Sequence, residues 1–171
     1  MSTPALTITQ MAQQHIADAK MNSLTGARSY INLTRLDVPP PDARPIVVVS
    51  QPYPFYPAPG AAAQLLLNYV VPVGFNSVFN FMAIFHVGGG YVNGSGNVIW
   101  RVLVNGAGWK GMNNLQSQFG SDSAPINTYI HLVENDNLQI TAEIPLGQAA
   151  MPPGASTGAR AHGFEYAIGK F

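Results

Sequence analysis

Regular alternation of apolar and polar side chains constrains the fold of this chain more than any other feature. In Leu138–Ile144 every second residue is apolar, and the residues between are glutamine, threonine and glutamate. Successive side chains of a β-strand point to opposite faces, so this pattern predicts a strand with one buried face. The same alternation surrounds Arg101 in Val98–Val104 and Glu165 in Phe164–Ile168. It predicts that both charged side chains lie on the polar side of their strands.

Most of the strand candidates lie after residue 60 and are separated by turn residues. They are Gln64–Val71, Ser77–Val87, Asn97–Val104, Thr128–Val133, Leu138–Ile144 and Phe164–Ile168, with Ile46–Ser50 added and Ser29–Leu36 as a further candidate. Glu134–Asn137 predicts a tight hairpin, and Asn105-Gly106 predicts the turn that closes another strand. Glycines at 88–90 and 94–96 predict a flexible loop around Tyr91. Short strands without a helical pattern among them predict an all-β fold, specifically a jelly-roll-like β-sandwich of two four-stranded sheets.

The first 60 residues differ in character, so the chain divides into an extended N-terminal arm, residues 1–60, and the β-sandwich, residues 61–171. Apolar residues recur at three- and four-residue steps over Thr9–Lys20, which predicts one short helix in the arm. The proline-dense segments Val38–Pro41 and Pro52–Gly60 predict extended chain, because proline fixes φ and lacks an N–H donor. The arm either lies across a neighbouring subunit or wraps the protein's own sheet, and the sequence leaves both interpretations open.

The chain is poor in charge. Only 9% of its residues are charged, against about 25% in a typical soluble protein. Eight Phe, seven Tyr and two Trp argue against disorder. The longest apolar stretches, Ala61–Val73 and Val78–Val87, fall short of the roughly 20 residues that span a membrane. A surface buried against partner subunits explains the low charge, and it predicts a homo-oligomer, with a trimer favoured. The alternative is a surface of small uncharged polar residues.

Net charge and cysteine content exclude further classes. The net charge is zero and the eight basic residues are scattered. Nucleic-acid backbones are bound by clustered Lys and Arg, so no nucleic-acid partner is expected. The chain has no cysteine, which excludes disulfides and leaves the redox compartment undetermined. The N-terminus lacks the pattern of a secretory signal, so we expect the protein to be assembled in a cytoplasm.

No catalytic, cofactor or metal motif stands out. Gly154–Gly158 matches the GxSxG pattern around Ser156, but a nucleophile elbow needs a strand before the serine and a helix after it. The segment instead has the composition of a small-residue loop. His86 and His131 each lie in a predicted strand and are expected to be half-buried with satisfied ring nitrogens. We therefore predict no enzyme activity, no cofactor and no metal ligands.

Aromatic residues are the best candidates for binding. Tyr53, Phe55 and Tyr56 lie in the second proline-dense segment and are the expected contacts with partner subunits. Tyr91 and Trp109 are flanked by glycines. They would stack on a sugar ring, contact another subunit or cap one end of the sandwich.

Three segments carry a resemblance to a known class of proteins. Val71–Phe75, Ile99–Gly106 and Ile130–Ile140 resemble the strand and turn patterns of small β-sandwich structural proteins of tailed bacteriophages. The resemblance implies a virion component of the capsid decoration, cement or neck-collar type, which binds capsid or neck subunits and often forms trimers. The alternative function is a carbohydrate- or host-receptor-binding module of a phage particle.

Overall fold

The computed structural model describes residues 42–50, 55–120 and 125–168. The strands in these ranges are β1 Arg44–Val49, β2 Gln64–Val70, β3 Phe75–Val87, β4 Ile99–Val104, β5 Ala107–Gly108, β6 Ile126–Leu132, β7 Asn137–Glu143 and β8 Ser156–Ala167. A short 3-10 turn, Trp109–Gly111, follows β5. The helix predicted over Thr9–Lys20, the strand candidate Ser29–Leu36 and Tyr53 lie outside the described residues.

The strands form two four-stranded antiparallel sheets that pack against each other. The first sheet has the order β1-β8-β3-β6 and the second has the order β2-β7-β4-β5. Strand pairs are nested along the chain, since β1 pairs with β8, β2 with β7, β3 with β6 and β4 with β5. The prediction of an all-β sandwich is confirmed. β1 lies within the segment interpreted as an arm and forms an edge strand of the first sheet.

The main core lies between the two sheets. Its largest fully buried side chains include Trp100, Phe79, Met82, Ile130 and Ile140. Burying an aliphatic or phenyl side chain contributes roughly 1.5–3 kcal/mol. The alternation predicted for β4 and β7 is confirmed, because every second residue of each strand is buried.

The last strand is longer than its sequence pattern indicates. β8 begins at Ser156 and runs for 12 residues, whereas the alternation predicts a start at Phe164. Small residues fill its first half, so the segment has the composition of a loop. The structure nevertheless places this segment in the first sheet, between β1 and β3. Ser156 therefore begins a strand rather than lying in a loop, and it is followed by the rest of β8 and not by the helix that a nucleophile elbow needs.

The facing of β8 is the reverse of the prediction. Glu165 points into the space between the sheets, where its Oε1 lies 2.5 Å from Nε of Arg44. Its Oε2 accepts a hydrogen bond of 2.9 Å from the hydroxyl of Tyr69, on β2 of the opposite sheet. Phe164 and Tyr166 face outward and form a separate apolar cluster. Alternation shows which residues share a face, but it cannot show which face is the core when both are covered.

The two predicted tight turns have different outcomes. Asn105-Gly106 joins β4 to β5 in a hairpin with φ of 52° and 76°, as the sequence predicts. The turn at Glu134–Asn137 exists, but β6 and β7 belong to different sheets, so the hairpin prediction is wrong. Backbone hydrogen bonds of this turn go to Val71 instead. A turn motif predicts that the chain reverses direction, but it does not predict that the two strands it joins pair with each other.

Candidate functional site

One end of the sandwich gathers most of the aromatic residues expected to bind. We call it the aromatic end, formed where β3 ends, where β4 and β8 begin, and by residues 55–63, 88–98 and 145–155. Phe55 bridges Ser156 through its backbone, and its side chain is 72% exposed. Tyr56, the next residue, is half-buried and packs against the main core.

Tyr56 is anchored by His86 of β3. Nδ1 of His86 lies 2.7 Å from the Tyr56 hydroxyl, and Nε2 lies 2.8 Å from the carbonyl oxygen of Gly88. A carbonyl only accepts, so Nε2 carries the proton and the Tyr56 hydroxyl donates to Nδ1. Both ring nitrogens are satisfied, which confirms the expectation for this histidine. Burial raises the pKa of Tyr56 above its usual range.

Tyr91 extends the aromatic contacts inward. Its ring centroid lies 5.3 Å from that of His86 and 5.2 Å, edge to face, from that of Trp100. Its hydroxyl donates to Oδ1 of Asn93 at 2.7 Å and accepts from the backbone N–H of Gln118 at 3.1 Å. These bonds hold the loop that the glycines predict to be flexible.

Trp100 joins the aromatic end to the centre of the fold. Its Nε1 donates to Oγ1 of Thr157 at 2.8 Å, and that hydroxyl donates to the carbonyl oxygen of Phe85 at 3.0 Å. The hydrogen bonds tie β4 of the second sheet to β8 and β3 of the first. The aromatic end is therefore held on a rigid base.

A cleft of about 300 Å³ opens at this end. It is lined by Phe55, Tyr56, Pro57, Ala58 and residues 150–155. Its lining is mainly apolar and rich in proline, with no charged side chain among these residues. Such a cleft suits an apolar peptide segment better than a charged substrate.

Trp109 lies elsewhere, at the edge of the second sheet directly after β5. Its ring is half-buried and packs against the main core. The Lys110 ammonium lies 4.8 Å from the ring centroid. These contacts occupy much of the indole and leave less of it for stacking on a sugar.

The described surface carries few charged residues. Nine charged residues lie in the described ranges: Asp42, Arg44, Arg101, Lys110, Glu134, Asp136, Glu143, Arg160 and Glu165. Two ion pairs, Arg44–Glu165 and Arg101–Glu143, account for four of them. The hydrogen bond from Arg101, 2.6 Å long, lowers the pKa of the Glu143 carboxyl. Much of the described surface is uncharged because so few of its residues carry charge.

The opposite end of the sandwich carries aliphatic residues that were not singled out from the sequence. Val70, Val73, Val133 and Ile168 are all exposed there. Backbone hydrogen bonds from Asn135 to Val71 and from Ile168 to Gly74 join the turns that carry them. The motif Pro72-Val73-Gly74 could have indicated this exposed group from the sequence, because proline and glycine predict a turn and place Val73 within it.

Tyrosine titration gives a testable pH dependence. Burial raises the pKa of Tyr69 and of Tyr166 to about 12, against about 10 in an unfolded chain. The folded state thus favours the neutral phenols. Their contribution to stability is complete below pH 10 and is lost as the pH rises towards 12.

We expect the free energy of unfolding, measured in urea from pH 8 to pH 12, to fall above pH 10 (roughly the unfolded phenol pKa). The fall should be shallower in Tyr69→Phe than in the wild type. An identical pH dependence in the two proteins would contradict the assignment.

The described residues contain neither a metal-binding cluster nor a membrane-spanning helix. Within residues 42–50, 55–120 and 125–168, no three His, Cys, Asp or Glu side chains are grouped to hold a metal ion. No helix in the same residues has the length and hydropathy to cross a membrane. No family model, no curated protein and no solved structure matches this chain.

Proposed function

We propose that this chain is a non-enzymatic structural subunit that binds neighbouring protein subunits in a virion. The single observation that carries the proposal is that the described surface is rich in exposed apolar side chains and poor in charge. It exposes large apolar side chains at both ends of the sandwich, while four of its nine charged residues are paired with one another. Exposed large apolar side chains grouped at the ends of a fold, on a surface poor in charge, are typical of protein interfaces. The resemblance to capsid decoration, cement and neck-collar proteins of tailed bacteriophages agrees with this role.

The strand order supports a jelly roll as the specific architecture. A jelly roll forms when one long antiparallel ribbon folds over into two sheets, so its first strand pairs with its last and each inner pair is nested within. The pairs β1–β8, β2–β7, β3–β6 and β4–β5 follow this rule. Jelly rolls are common among viral capsid domains.

Phe55 is the proposed contact of the arm with a partner subunit. Its side chain is largely exposed at the rim of the cleft. The neighbouring Tyr56 is fixed by His86, so Phe55 is presented from a rigid position. Rigid, exposed aromatic residues contribute much of the binding energy at interfaces. Tyr91 and Trp109 support the sugar-binding alternative less, because both rings already pack against other side chains.

Substituting Phe55 by Asp tests this function. We expect the wild type to be a homo-oligomer, with a trimer favoured, and to bind a capsid or neck protein encoded next to it. Phe55→Asp should weaken these contacts by about 2 kcal/mol, roughly thirtyfold. Light scattering of the purified proteins, alone and with products of adjacent genes, measures the effect.

Asn114→Asp is the matched control, because it adds the same charge at an exposed residue away from the cleft. It should leave the measured masses unchanged. A wild-type protein that stays monomeric and binds none of the adjacent gene products would refute the proposed function.

A further inference from the structure

Much of the outer face of the first sheet is apolar and buried, although the second sheet packs on its other side and the half-buried Arg160 and His162 of β8 also point outward. On β3, Ala83 and Phe85 alternate with Met82 and Ile84 of the main core, so they point outward. The outward-facing residues Val78, Ala83, Phe85, Phe164 and Tyr166 are each at most 6% exposed. Val78, Phe164 and Tyr166 form a cluster distinct from the main core. Burial of this kind requires a third layer over the sheet.

The sequence of β3 agrees with a strand that is covered on both faces. Its segment Val78–Val87 is apolar at every position except Asn80 and His86. Strands with one solvated face show alternation, whereas strands buried on both faces have nearly continuous apolar runs. The cover is not continuous, because Phe81, between Val78 and Ala83 on β3, is 39% exposed, and Val47 on the edge strand β1 is exposed as well.

The path of the chain indicates what supplies the third layer. Among the described residues, one more hydrophobic side chain packs against the cluster of Val78, Phe164 and Tyr166, and it belongs to Ala43. Ala43 directly precedes β1, so the chain reaches the sandwich on this face. The 41 residues before Asp42 continue from this point. β8 is roughly 40 Å long at about 3.3 Å per residue, so a segment of this length is sufficient to cover it.

The composition of that segment provides a matching apolar surface. In and beside the stretch that the sequence predicts to be helical, residues recur at three- and four-residue steps to form an apolar stripe: Ile8, Met11, Ala12, His15, Ile16 and Ala19. A short helix with a narrow apolar stripe is marginal alone in water and needs a surface to pack on. The outer face of the first sheet offers one.

We propose that residues 1–41 of this chain cover the outer face of the first sheet of the same molecule. The inference goes beyond the proposed function, because it rests on the facing of β3 and β8 and not on any partner. It assigns the early part of the arm to the protein's own sheet. Contacts with other subunits then fall to Phe55, to the cleft and to the two ends of the sandwich.

Photo-crosslinking in the full-length protein tests the proposal. Phe81→p-benzoylphenylalanine keeps an aromatic side chain and places the photoreactive group within the outer face, between the covered residues Val78 and Ala83. Val47→p-benzoylphenylalanine is a second variant on the same face, in case the first does not fold. Leu65→p-benzoylphenylalanine is the control, because Leu65 is exposed on the outer face of the second sheet. Mixing ¹⁴N- and ¹⁵N-labelled protein before irradiation separates crosslinks within a chain from those between chains.

We expect the variants at positions 81 and 47 to crosslink to peptides within residues 1–41 of the same chain, and the control not to do so. Crosslinks to residues 1–41 of another chain would overturn the proposal in favour of exchanged arms. Crosslinks to any other segment, or none in a folded variant, would also overturn it. Failure of the proposed function would show instead as a monomer without partners and would leave the crosslinks unchanged.

Discussion

Trp100→Ala is expected to lower the free energy of unfolding by about 3–5 kcal/mol, as is usual for removing a buried tryptophan. The Trp100 side chain is fully buried at the centre of the core between the sheets. Its loss leaves a cavity beneath the ring of Tyr91 and removes the hydrogen bond to Thr157. Chemical denaturation followed by circular dichroism measures the change.

Trp109→Ala is the matched control, since it removes the same side chain from a half-buried position at the sheet edge. It should cost only about 1 kcal/mol. Trp100→Phe should give an intermediate loss, because it keeps most of the apolar volume and removes the N–H donor. Equal losses at the two tryptophan positions would mean that Trp100 does not join the sheets as described.

The placement of Trp100 could be predicted from the sequence, and its connections could not. Alternation around Arg101 requires Trp100 to share a face with Val98, Val102 and Val104, and all four are buried. The contact with Thr157 joins residues 57 positions apart. Thr157 lies in a run of small residues that carries no alternation, so nothing in the local pattern marks it.

In β8, the alternation of apolar and polar residues does not determine which face of the strand lies towards the core. Alternation correctly groups Phe164 with Tyr166, but it assigns them to the core between the sheets. Glu165 occupies that place because Arg44 and Tyr69 satisfy its carboxylate there. A buried carboxylate is stable only with such partners. Neither partner is near Glu165 in the sequence. The outward-facing Phe164 and Tyr166 are apolar for a different reason, which is that this part of the outer face is covered.

The candidate site was predictable in part. Proline-dense sequence and glycine-flanked rings identified Phe55, Tyr56 and Tyr91 as aromatic residues outside the regular strands. The structure brings these three to one end of the sandwich and leaves Trp109 at a sheet edge. The link between Tyr56 and Tyr91 is His86, whose role depends on the meeting of three distant segments. Single residues can be recognised from sequence, but their convergence is a property of the fold.

Gly163→Ala is expected to destabilise the protein by about 1–3 kcal/mol or more, because it overfills a closed site. Gly163 lies on β8 opposite Phe79, next to the bulge that Asn80 makes in β3. A Cβ at this position would overlap the carbonyl oxygen of Val78 and lie 2.8 Å from Cα of Phe79. Both contacts are with backbone atoms, so no side-chain rotation relieves them.

Gly89→Ala is the control for this substitution, because a Cβ at Gly89 meets no heavy atom within 4 Å and no positive φ opposes it. An added methyl there should change the free energy of unfolding by about 0.5 kcal/mol or less. The comparison isolates the close approach of β8 to β3, which is the most extensive strand pairing in the first sheet. If Gly163→Ala unfolds at the same denaturant concentration as Gly89→Ala, the two strands do not approach closely at the bulge. The register of β8, and with it the inward position of Glu165 two residues later, would then be wrong.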